Sequence, residues 1–415
     1  MRRELAFASS LYRRRLEFAW YGYVHRDPMS RLHLRYGRDD PYAVYEDLRR
    51  QGPIVPTRLG NWVATSHEVC NLVLRDRRFG VRNHTVNTAP EADMSFLDRD
   101  PPDHTRLRRL AQPAFSPRMI ESYRPRVERA VDQLIDRFDE SFDLVSAFAA
   151  PLPIAVITDL LGVPDADADH FARLGTVFGS ALEGIRSLRH AAQLRAAQRS
   201  LATLFEGLFE LRRREPADDV VSRIVAAEGD QVRPAEMIPM CTLLLVAGFE
   251  TTVNLVGNAV HALLGHPEQW ADLCADPAGL AAAAVEETLR WDPPVQRTAR
   301  CANSAVTVEG REIHAGQIVV TLLGAANRDP AVYASPSRFD IHRPVSADHL
   351  AFSSGIHYCV GAPLARLEAT IALERLASRL PGLRRAGALK RRTSSIVRGP
   401  ISMPVRASRS VIPAA

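Results

Sequence analysis

The most informative part of this chain is Phe352-Ser353-Ser354-Gly355-Ile356-His357-Tyr358-Cys359-Val360-Gly361-Ala362-Pro363. Here a single cysteine lies on a loop bounded by glycines, with a histidine before it and the start of a helix after it. We expect the free amides of that helix to point at the sulfur and to stabilise its thiolate form, which binds soft metals. The sequence therefore predicts that Cys359 is a metal ligand, and haem iron is the best candidate.

The composition is that of an ordinary globular protein. Of the 415 residues, 46% are hydrophobic and 24% are charged, so the chain can bury a large core without disulfide bonds or partner chains. Its five cysteines are scattered and include no CxxC pair, which argues against a zinc ribbon and against a disulfide framework. This pattern fits a reducing, cytoplasmic compartment.

The net charge of +5 raises the question of an acidic partner, and nucleic acid is the first suspect for a basic protein. The cations are almost all arginines, and they interleave along the chain with 48 acidic residues. They form no basic stripe, and no recognisable nucleic-acid-binding motif accompanies them. We therefore expect no nucleic-acid partner.

Residues 1–38 form a basic N-terminal extension. Arginines interrupt its apolar stretches well before the roughly 20 residues that a membrane span requires, so no transmembrane segment is predicted. An amphipathic helix is one interpretation of this segment. Such a helix can lie on the protein's own surface, on a partner, or on a membrane face, and the sequence leaves all three placements open.

Most of the remaining chain has the periodicity of helices. Apolar residues recur at three- and four-residue spacing over residues 41–51, 103–112, 118–140, 150–161, 187–214, 235–265, 278–291 and 362–380. Strand signals are short, and they cover residues 54–58, 61–65, 306–308, 318–321 and a pair near 395–405. No linker or internal repeat divides the chain. The sequence predicts a mainly α fold with a small β-sheet region.

The helix predicted over 235–265 contains Leu243-Leu244-Leu245-Val246-Ala247-Gly248-Phe249-Glu250-Thr251-Thr252. Glycine and threonine are poor helix formers, so their place in the middle of an apolar helix needs a reason. A flat ligand packed against Ala247 and Gly248 would supply one, and the hydroxyl of Thr251 or Thr252 can bond back to the previous turn. The alternative is an ordinary helix crossing with a buried acid at its edge.

Two more motifs follow before the cysteine loop. Glu287 and Arg290 lie one helical turn apart, which in isolation indicates a solvated surface ion pair, and Asn327-Arg328-Asp329-Pro330 comes after them. With this order of motifs, the chain from about Asp40 to Pro404 resembles a bacterial, soluble cytochrome P450, a haem-thiolate monooxygenase. The residues that match the cysteine-loop pattern of the family in register are Phe352, Gly355, Cys359 and Gly361. Ser353 departs from the pattern, because many relatives have glycine there.

The resemblance implies a single haem domain over 39–415 with the cytochrome P450 fold, a triangular helical prism around a buried haem b. It implies that Cys359 is the thiolate ligand of the iron. The other haem contacts that it implies are the propionate-binding residues His104, Arg108, Arg300 and His357, with Arg297 as a rival of Arg300, and the packing residues Ala247, Gly248, Phe352, Gly355 and Gly361.

The resemblance also assigns an acid–alcohol pair to Glu250 and Thr251, with Thr252 able to share the hydroxyl role. In the family this pair organises water for proton delivery during oxygen activation. A structural ion triad is assigned to Glu287, Arg290 and Arg343, for folding and haem retention. The substrate contacts expected are Asn83, His84, Val86, Asn87, Val177, Phe178, Leu244, Ala247, Val295, Gln296, Ile396 and Val397.

The function implied is hydroxylation or epoxidation of a hydrophobic small molecule with dioxygen, and the leading substrate class is a polyketide, terpenoid or peptide natural product. No flavin or iron–sulfur segment is fused to the chain, so electrons are expected from a ferredoxin and a ferredoxin reductase. An acidic ferredoxin is expected to dock near Arg106, Arg109 and Arg366.

Two alternatives remain open. The same haem chemistry serves oxidative C–C or C–O coupling and desaturation, and sequence does not show how a substrate radical is held. A haem sensor without turnover is the second alternative, but such a sensor has no need of Glu250 and Thr251.

Overall fold

The computed structural model of the chain describes residues 2–81, 93–164, 170, 173, 174, 177, 187–344 and 346–407. Helices dominate these residues. In chain order, the α-helices are α1 (Arg2–Tyr23), α2 (Pro28–Arg31), α3 (Arg35–Asp39), α4 (Pro41–Arg49), α5 (His67–Arg75), α6 (Asp103–Ala111), α7 (Pro117–Asp136), α8 (Pro151–Leu161), α9 (Leu188–Arg214), α10 (Val220–Ala226), α11 (Pro234–Leu263), α12 (Pro267–Ala275), α13 (Pro277–Trp291), α14 (Leu323–Ala326) and α15 (Ala362–Arg379).

The strands are short and belong to small sheets. They are β1 (Ile54–Pro56), β2 (Trp62–Ala64), β3 (Phe79–Gly80), β4 (Ser141–Asp143), β5 (Thr298–Ala302), β6 (Val306–Val308), β7 (Arg311–Ile313), β8 (Ile318–Thr321), β9 (Arg384–Arg385), β10 (Lys390–Arg391), β11 (Pro400–Ser402) and β12 (Pro404–Arg406). The largest sheet has the order β1-β2-β8-β5-β3, and only its β2–β8 pair is parallel. The predicted mainly α fold with a small β-sheet region is confirmed.

Proline and turn chemistry explain many element boundaries. Pro is tolerated in the first turn of a helix because the missing N–H has no partner there, and α4, α7, α8, α11, α12 and α13 all begin with proline. Between β6 and β7, Glu309 and Gly310 have φ values of +49° and +69°. Two successive left-handed residues give a tight hairpin turn, as expected for a short connection of this kind.

Helix α11 is the centre of the molecule. Among the described residues, it is the one helix long and apolar enough to cross a membrane, but 83% of its most apolar window is buried inside the protein. It packs against α8, α13 and α15, which cover it on several sides. Close approach of the C-terminal strands requires Gly257, where an added Cβ would lie 2.5 Å from Cγ of Pro400. The position of α11 therefore fixes both the core and the C-terminal hairpins.

The periodicity of the sequence did not predict some of the elements that contribute residues to the site. Strand β5 has the sequence Thr-Ala-Arg-Cys-Ala, and it lies between β8 and β3 in the largest sheet. Its central residue, Arg300, is buried. A charged residue at a buried position of a strand interrupts the alternation of apolar and polar residues from which strands are predicted. The nine-residue helices α5 and α12 were not predicted either.

A buried ion triad joins α13 to the loop segment that precedes the cysteine. Glu287 accepts hydrogen bonds from Arg290 at 2.7 and 2.8 Å and from Nε of Arg343 at 3.2 Å. The Arg290 guanidinium also donates to the backbone carbonyl groups of Asn327 and Pro336. Glu287 and Arg290 are only 5% and 3% exposed, so the interpretation of this pair as a solvated surface ion pair is wrong.

We expect Glu287→Gln to destabilise the protein by about 3–5 kcal/mol, because it leaves two buried guanidinium groups without their carboxylate. The measurement is the free energy of unfolding in urea followed by circular dichroism. A matched control is Glu121→Gln, which removes an exposed partner of Arg124 on α7 and is expected to cost less than about 1 kcal/mol. Equal stabilities of the two variants would contradict a structural role for the triad.

Candidate active site

The cysteine loop is shaped by backbone contacts. The amide of Cys359 donates to the carbonyl of Phe352 at 2.9 Å, and the amide of Tyr358 donates to Gly355 at 3.0 Å. Gly355 has a φ of +69°, and an added Cβ there would lie 2.5 Å from the carbonyl oxygen of Leu74. Glycine is therefore required at this position both for its backbone angle and for the close approach of α5.

Ser353 occupies the position at which the sequence departs from the family pattern. Its φ is +64°, in the left-handed region that costs an L-residue on the order of 1 kcal/mol. The position thus favours glycine, and this chain tolerates serine there with some backbone strain.

Cys359 is a free cysteine without a disulfide partner. Its side chain is exposed, yet burial among neighbouring atoms raises the pKa of the Cys359 thiol. The amides of Gly361 and Ala362 and the guanidinium group of Arg108 oppose that rise in pKa. The helix amides do contact the sulfur as predicted, and in the protein alone burial has a larger effect on the pKa than they have. A metal bound at Cys359 would stabilise the thiolate further, since coordination deprotonates a thiol outright.

Two histidines lie side by side near this loop. The rings of His104 and His357 are 4.3 Å apart. Among the residues that the structure describes, Nδ1 and Nε2 of His104 and Nε2 of His357 are buried and have no hydrogen-bond partner. Burial and then Arg300 lower the pKa of His357 to about 3, and burial and then Arg108 lower the pKa of His104. Both imidazoles are therefore neutral at neutral pH and still present a donor N–H.

Arg300 belongs to the same cluster, and Arg297 does not. Arg300 donates only to the carbonyl of Ala299 and, at the limit of hydrogen bonding, to Thr298, and burial lowers its pKa to about 10. Arg297 donates to Oγ of Ser395 at 2.8 Å and lies 3.2 Å from Nε2 of His33. The structure thus separates the two candidate propionate ligands and leaves Arg300 beside the histidines.

These residues fit a haem. Beside the Arg108 and Arg300 guanidinium groups, the buried imidazole nitrogens have no hydrogen-bond partner among the described residues, and two propionates would accept hydrogen bonds from them. Within the described ranges, no group of three or more His, Cys, Asp and Glu side chains is placed to hold a metal ion. A metal at Cys359 therefore needs a carrier that brings its own ligands, as a porphyrin does. A Cβ at Gly361 would lie 4.0 Å from the sulfur, so glycine keeps the space beside it open.

Helix α11 has one accessible patch in an otherwise buried stretch. Ala247 is exposed and Gly248 and Thr251 are half-buried, whereas the neighbouring Leu243–Val246 are buried. The hydroxyl of Thr251 donates to the carbonyl of Ala247 at 2.8 Å, and that of Thr252 donates to Gly248 at 2.9 Å. Both threonines bond back to the previous turn as predicted, while the helix stays continuous from Pro234 to Leu263.

Gly248 also serves helix packing, because a Cβ added there would meet Cδ1 of Ile157 on α8 at 3.4 Å. The side of Gly248 from which a side chain would project therefore faces α8. A flat ligand could therefore contact the accessible surface of Ala247 and Gly248.

Glu250 has a partner that the sequence does not reveal. This buried acid forms an ion pair with Arg392, which follows strand β10. The amide of Arg392 donates to the carbonyl of Gly399 at 3.1 Å, so a C-terminal hairpin holds the arginine in place. No local spacing links an acid in the central helix to an arginine near the C-terminus, and only the approach of the hairpin to α11 brings them together.

The predicted substrate contacts have different outcomes. Val295 and Val397 pair in an isolated β-bridge, and the amide of Gln296 donates to Ile396 at 2.8 Å, so these two segments meet. Leu244 is buried in α11. Partly buried Val177 packs against the main core, and Ala247 is exposed. The predictions that lie outside the described residues are Asn83, His84, Val86, Asn87 and Phe178.

The prediction that Gln296 contacts the substrate needs a correction. Its Nε2 donates to the carbonyl of Pro293 at 2.8 Å, and its Oε1 accepts from the hydroxyl of Tyr45 at 3.1 Å. Because both polar atoms are used in the core and the residue is only 2% exposed, the structure argues against Gln296 as a polar substrate contact.

The three arginines at which a ferredoxin is expected to dock differ in whether they already form ion pairs. Arg106 pairs with Glu236 at 2.8 Å, and Arg366 pairs with Glu286 at 2.6 Å and lies over the ring of Phe352. These two charges are already compensated. Arg109 is exposed and has no ion-pair partner among the described residues. Beside the cysteine loop, a cleft of about 990 Å³ is lined by residues that include Arg75, Arg77, Arg366 and Tyr358.

Comparison with known proteins agrees with this geometry. The family model described as Cytochrome P450 matches residues 279–380, which include the Glu287–Arg290 pair and the cysteine loop. The chain is 39% identical over 398 residues to Cytochrome P450 107B1 of Saccharopolyspora erythraea, covering 93% of this chain and 94% of that protein. It is 40% identical over 387 residues to Cytochrome P450 monooxygenase PikC of Streptomyces venezuelae, covering 88% and 91%. The solved structure of P450BioI in complex with an acyl carrier protein has a TM-score of 0.85 and 35% identity, covering 90% of this chain and 99% of that one.

We expect the double variant His104→Leu/His357→Leu to lose haem at least about 100-fold faster, because two hydrogen bonds to charged groups are lost and each is worth about 1.5–3 kcal/mol. The measurement is the rate of haem transfer to excess apomyoglobin, followed in the Soret band. His314→Leu is the control, because its side chain is exposed and lies near Glu312 at the surface, away from the cysteine loop in sequence. An unchanged transfer rate in the double variant would show that the two histidines do not hold the haem.

Proposed function

Because the chain belongs to the cytochrome P450 family, we propose that it uses haem b, dioxygen and two externally supplied electrons to hydroxylate or epoxidise a hydrophobic natural product. We also propose that residues 39–415 form the haem domain and that the enzyme works in the cytoplasm. When bound at Cys359, the haem supplies the activation of dioxygen and the transfer of one oxygen atom. The observation that carries the proposal is the accessible Ala247–Thr251 patch on α11 directly beside the buried carboxylate of Glu250.

Glu250 and Thr251 are proposed to deliver protons. The Thr251 hydroxyl donates its own hydrogen to the carbonyl of Ala247, which leaves its oxygen able to accept a hydrogen bond from water in the accessible patch. Glu250 lies next in sequence and exchanges protons through its carboxylate. Arg392 positions this carboxylate and compensates its charge within the core. A haem sensor without turnover has no use for this arrangement.

The substrate class is proposed from the site walls and from the relatives together. Apolar side chains, among them Leu244, Val295 and Val397, line the segments expected to hold the substrate, which suits a hydrophobic ligand. One relative, from Bacillus subtilis, is named Polyketide biosynthesis cytochrome P450 PksS, and one solved structure is a mutant of P450 EryK with erythromycin B. A polyketide is therefore the first class to test here, followed by terpenoids and peptides.

A ferredoxin and a ferredoxin reductase are proposed as electron donors. The cysteine loop borders the arginine-lined cleft, and the exposed Arg109 follows Arg108 of the haem cluster on α6. An acidic protein bound over this surface would come close to the sulfur side of the haem. Arg106 and Arg366 are assigned to internal ion pairs instead.

The proposal is tested with the reduced carbon-monoxide spectrum and a turnover assay. We expect a thiolate-type Soret band that Cys359→Ser abolishes. Candidate polyketides, terpenoids and peptides are then selected by their shift of the haem spin state and incubated with a ferredoxin, its reductase and NADPH under ¹⁸O₂. Products that gain one labelled oxygen support the proposal, and omission of ferredoxin should stop turnover.

Other outcomes would contradict it. Products that lack two hydrogens and carry no label would show coupling or desaturation. A thiolate band without oxidation of any spin-shifting compound would favour a sensor. A Soret band without thiolate character would exclude Cys359 as the iron ligand.

We expect Arg392→Gln to lower turnover about tenfold and Glu250→Gln about 100-fold, because correctly placed proton donors typically contribute at least that much. Substrate dissociation constants from the spin-state shift should stay unchanged, and the solvent isotope effect should rise in both variants. Lys390→Gln is the control, because it removes an exposed charge from the same hairpin. Wild-type turnover in Arg392→Gln would show that the ion pair has no part in proton delivery.

A further inference from the structure

Helix α1 carries an exposed apolar stripe. Tyr12, Leu16, Trp20 and Tyr23 are 53%, 71%, 58% and 65% exposed. At about 100° per residue, these four positions fall within an arc of about 80° on one side of the helix. Contiguous exposed apolar surface of this kind marks an interaction site more often than scattered single residues do.

The opposite side of α1 is already packed against the protein. The ring of Phe18 stacks on His33 with centroids 3.9 Å apart. Gly22 is buried, and an added Cβ there would lie 2.7 Å from Cδ1 of Leu34. The helix is therefore fixed by one face, and the aromatic stripe is a second apolar face that the described residues leave uncovered.

The charge of the chain is concentrated beside this stripe. Residues 1–38 contain nine arginines and three acidic residues, a net charge of +6, whereas the whole chain has a net charge of +5. The other 377 residues together therefore carry −1. Helical geometry places Arg13, whose exposed side chain lies 3.6 Å from Glu17, next to one edge of the stripe and Arg15 next to the other. The protein is basic at this end only.

From this juxtaposition we propose that α1 binds the surface of an anionic lipid bilayer, with Tyr12, Leu16, Trp20 and Tyr23 in the interface. Tryptophan and tyrosine prefer the boundary between lipid headgroups and acyl chains, and flanking arginines meet the lipid phosphates. A second copy of the chain is a poorer occupant, because stripe-to-stripe pairing would bring the same arginine edges together. One helix of this kind binds reversibly and lies in the plane of the membrane instead of crossing it.

The proposed contact between α1 and the bilayer would lie close to one wall of the region expected to hold substrate. His33, on which Phe18 stacks, also contacts Arg297, and Arg297 donates to Ser395. Ser395 directly precedes Ile396 in the segment that meets Val295–Gln296. The inference about the bilayer does not depend on turnover, and it is tested without any substrate.

The test is flotation of the purified holoprotein with two kinds of vesicle, pure phosphatidylcholine and phosphatidylcholine with one-third phosphatidylglycerol. We expect binding to the anionic vesicles that weakens as salt is raised. Leu16→Glu/Trp20→Glu should bind these vesicles at least about tenfold more weakly, because two buried apolar side chains are lost. Arg13→Gln/Arg15→Gln should weaken binding about fivefold for each charge removed.

Leu188→Glu is the matched control, since it places an acid at an exposed apolar position at the start of α9, where a helix tolerates it. It should bind like the wild type. All variants change exposed side chains, and an unchanged Soret spectrum verifies their folding. Failure to float with anionic vesicles would overturn the proposal. Equal, salt-independent binding to both vesicle types would also overturn it, as would a wild-type dimer in sedimentation that Leu16→Glu/Trp20→Glu converts to monomer.

Discussion

Several of the charges buried in this protein are held by partners from distant parts of the chain, and this pairing constrains both the fold and the site. A buried ion without a partner costs several kcal/mol, so each pair acts as a constraint on where two segments lie. Glu287 on α13 holds Arg343 of the loop that leads to the cysteine. Glu250 of the central helix holds Arg392 of a C-terminal hairpin. The buried imidazole nitrogens near Arg300 have no hydrogen-bond partner among the described residues, and we propose that haem propionates accept hydrogen bonds from them.

Local patterns in the sequence predict the parts of this arrangement that are local in space. The long helices follow from apolar periodicity, the β6–β7 hairpin follows from Glu309-Gly310, and the approach of Glu287 to Arg290 follows from a spacing of one helical turn. The cysteine loop is also local, because its shape depends on the left-handed backbone at Ser353 and Gly355 and on the start of α15. For these features, the sequence contains the physical cause within a few residues.

The features that were missed depend on what packs against them. Nothing near Glu250 in sequence indicates Arg392, and the side-chain oxygen of Gln296 accepts a hydrogen bond from Tyr45, which lies in a distant part of the sequence. The pKa of the Cys359 thiol also depends on what packs against it. The helix amides lower this pKa, while burial raises it more. Whether burial or hydrogen bonding dominates a pKa can be judged only when the neighbours of the group are known.

The charge of the chain shows how an average over the sequence hides a physical feature. A net charge of +5, spread over 415 residues, indicates no particular partner, yet the first 38 residues account for all of it. Their helix α1 packs through Phe18 on His33, and His33 lies between α1 and the Arg297–Ser395 contact. Ser395 and Arg392 belong to one short segment after β10, so the same few residues border both the N-terminal helix and the acid of the central helix. A hydrophobic substrate that partitions into a bilayer under α1 would therefore reach the protein on the side where this segment forms a wall of the site.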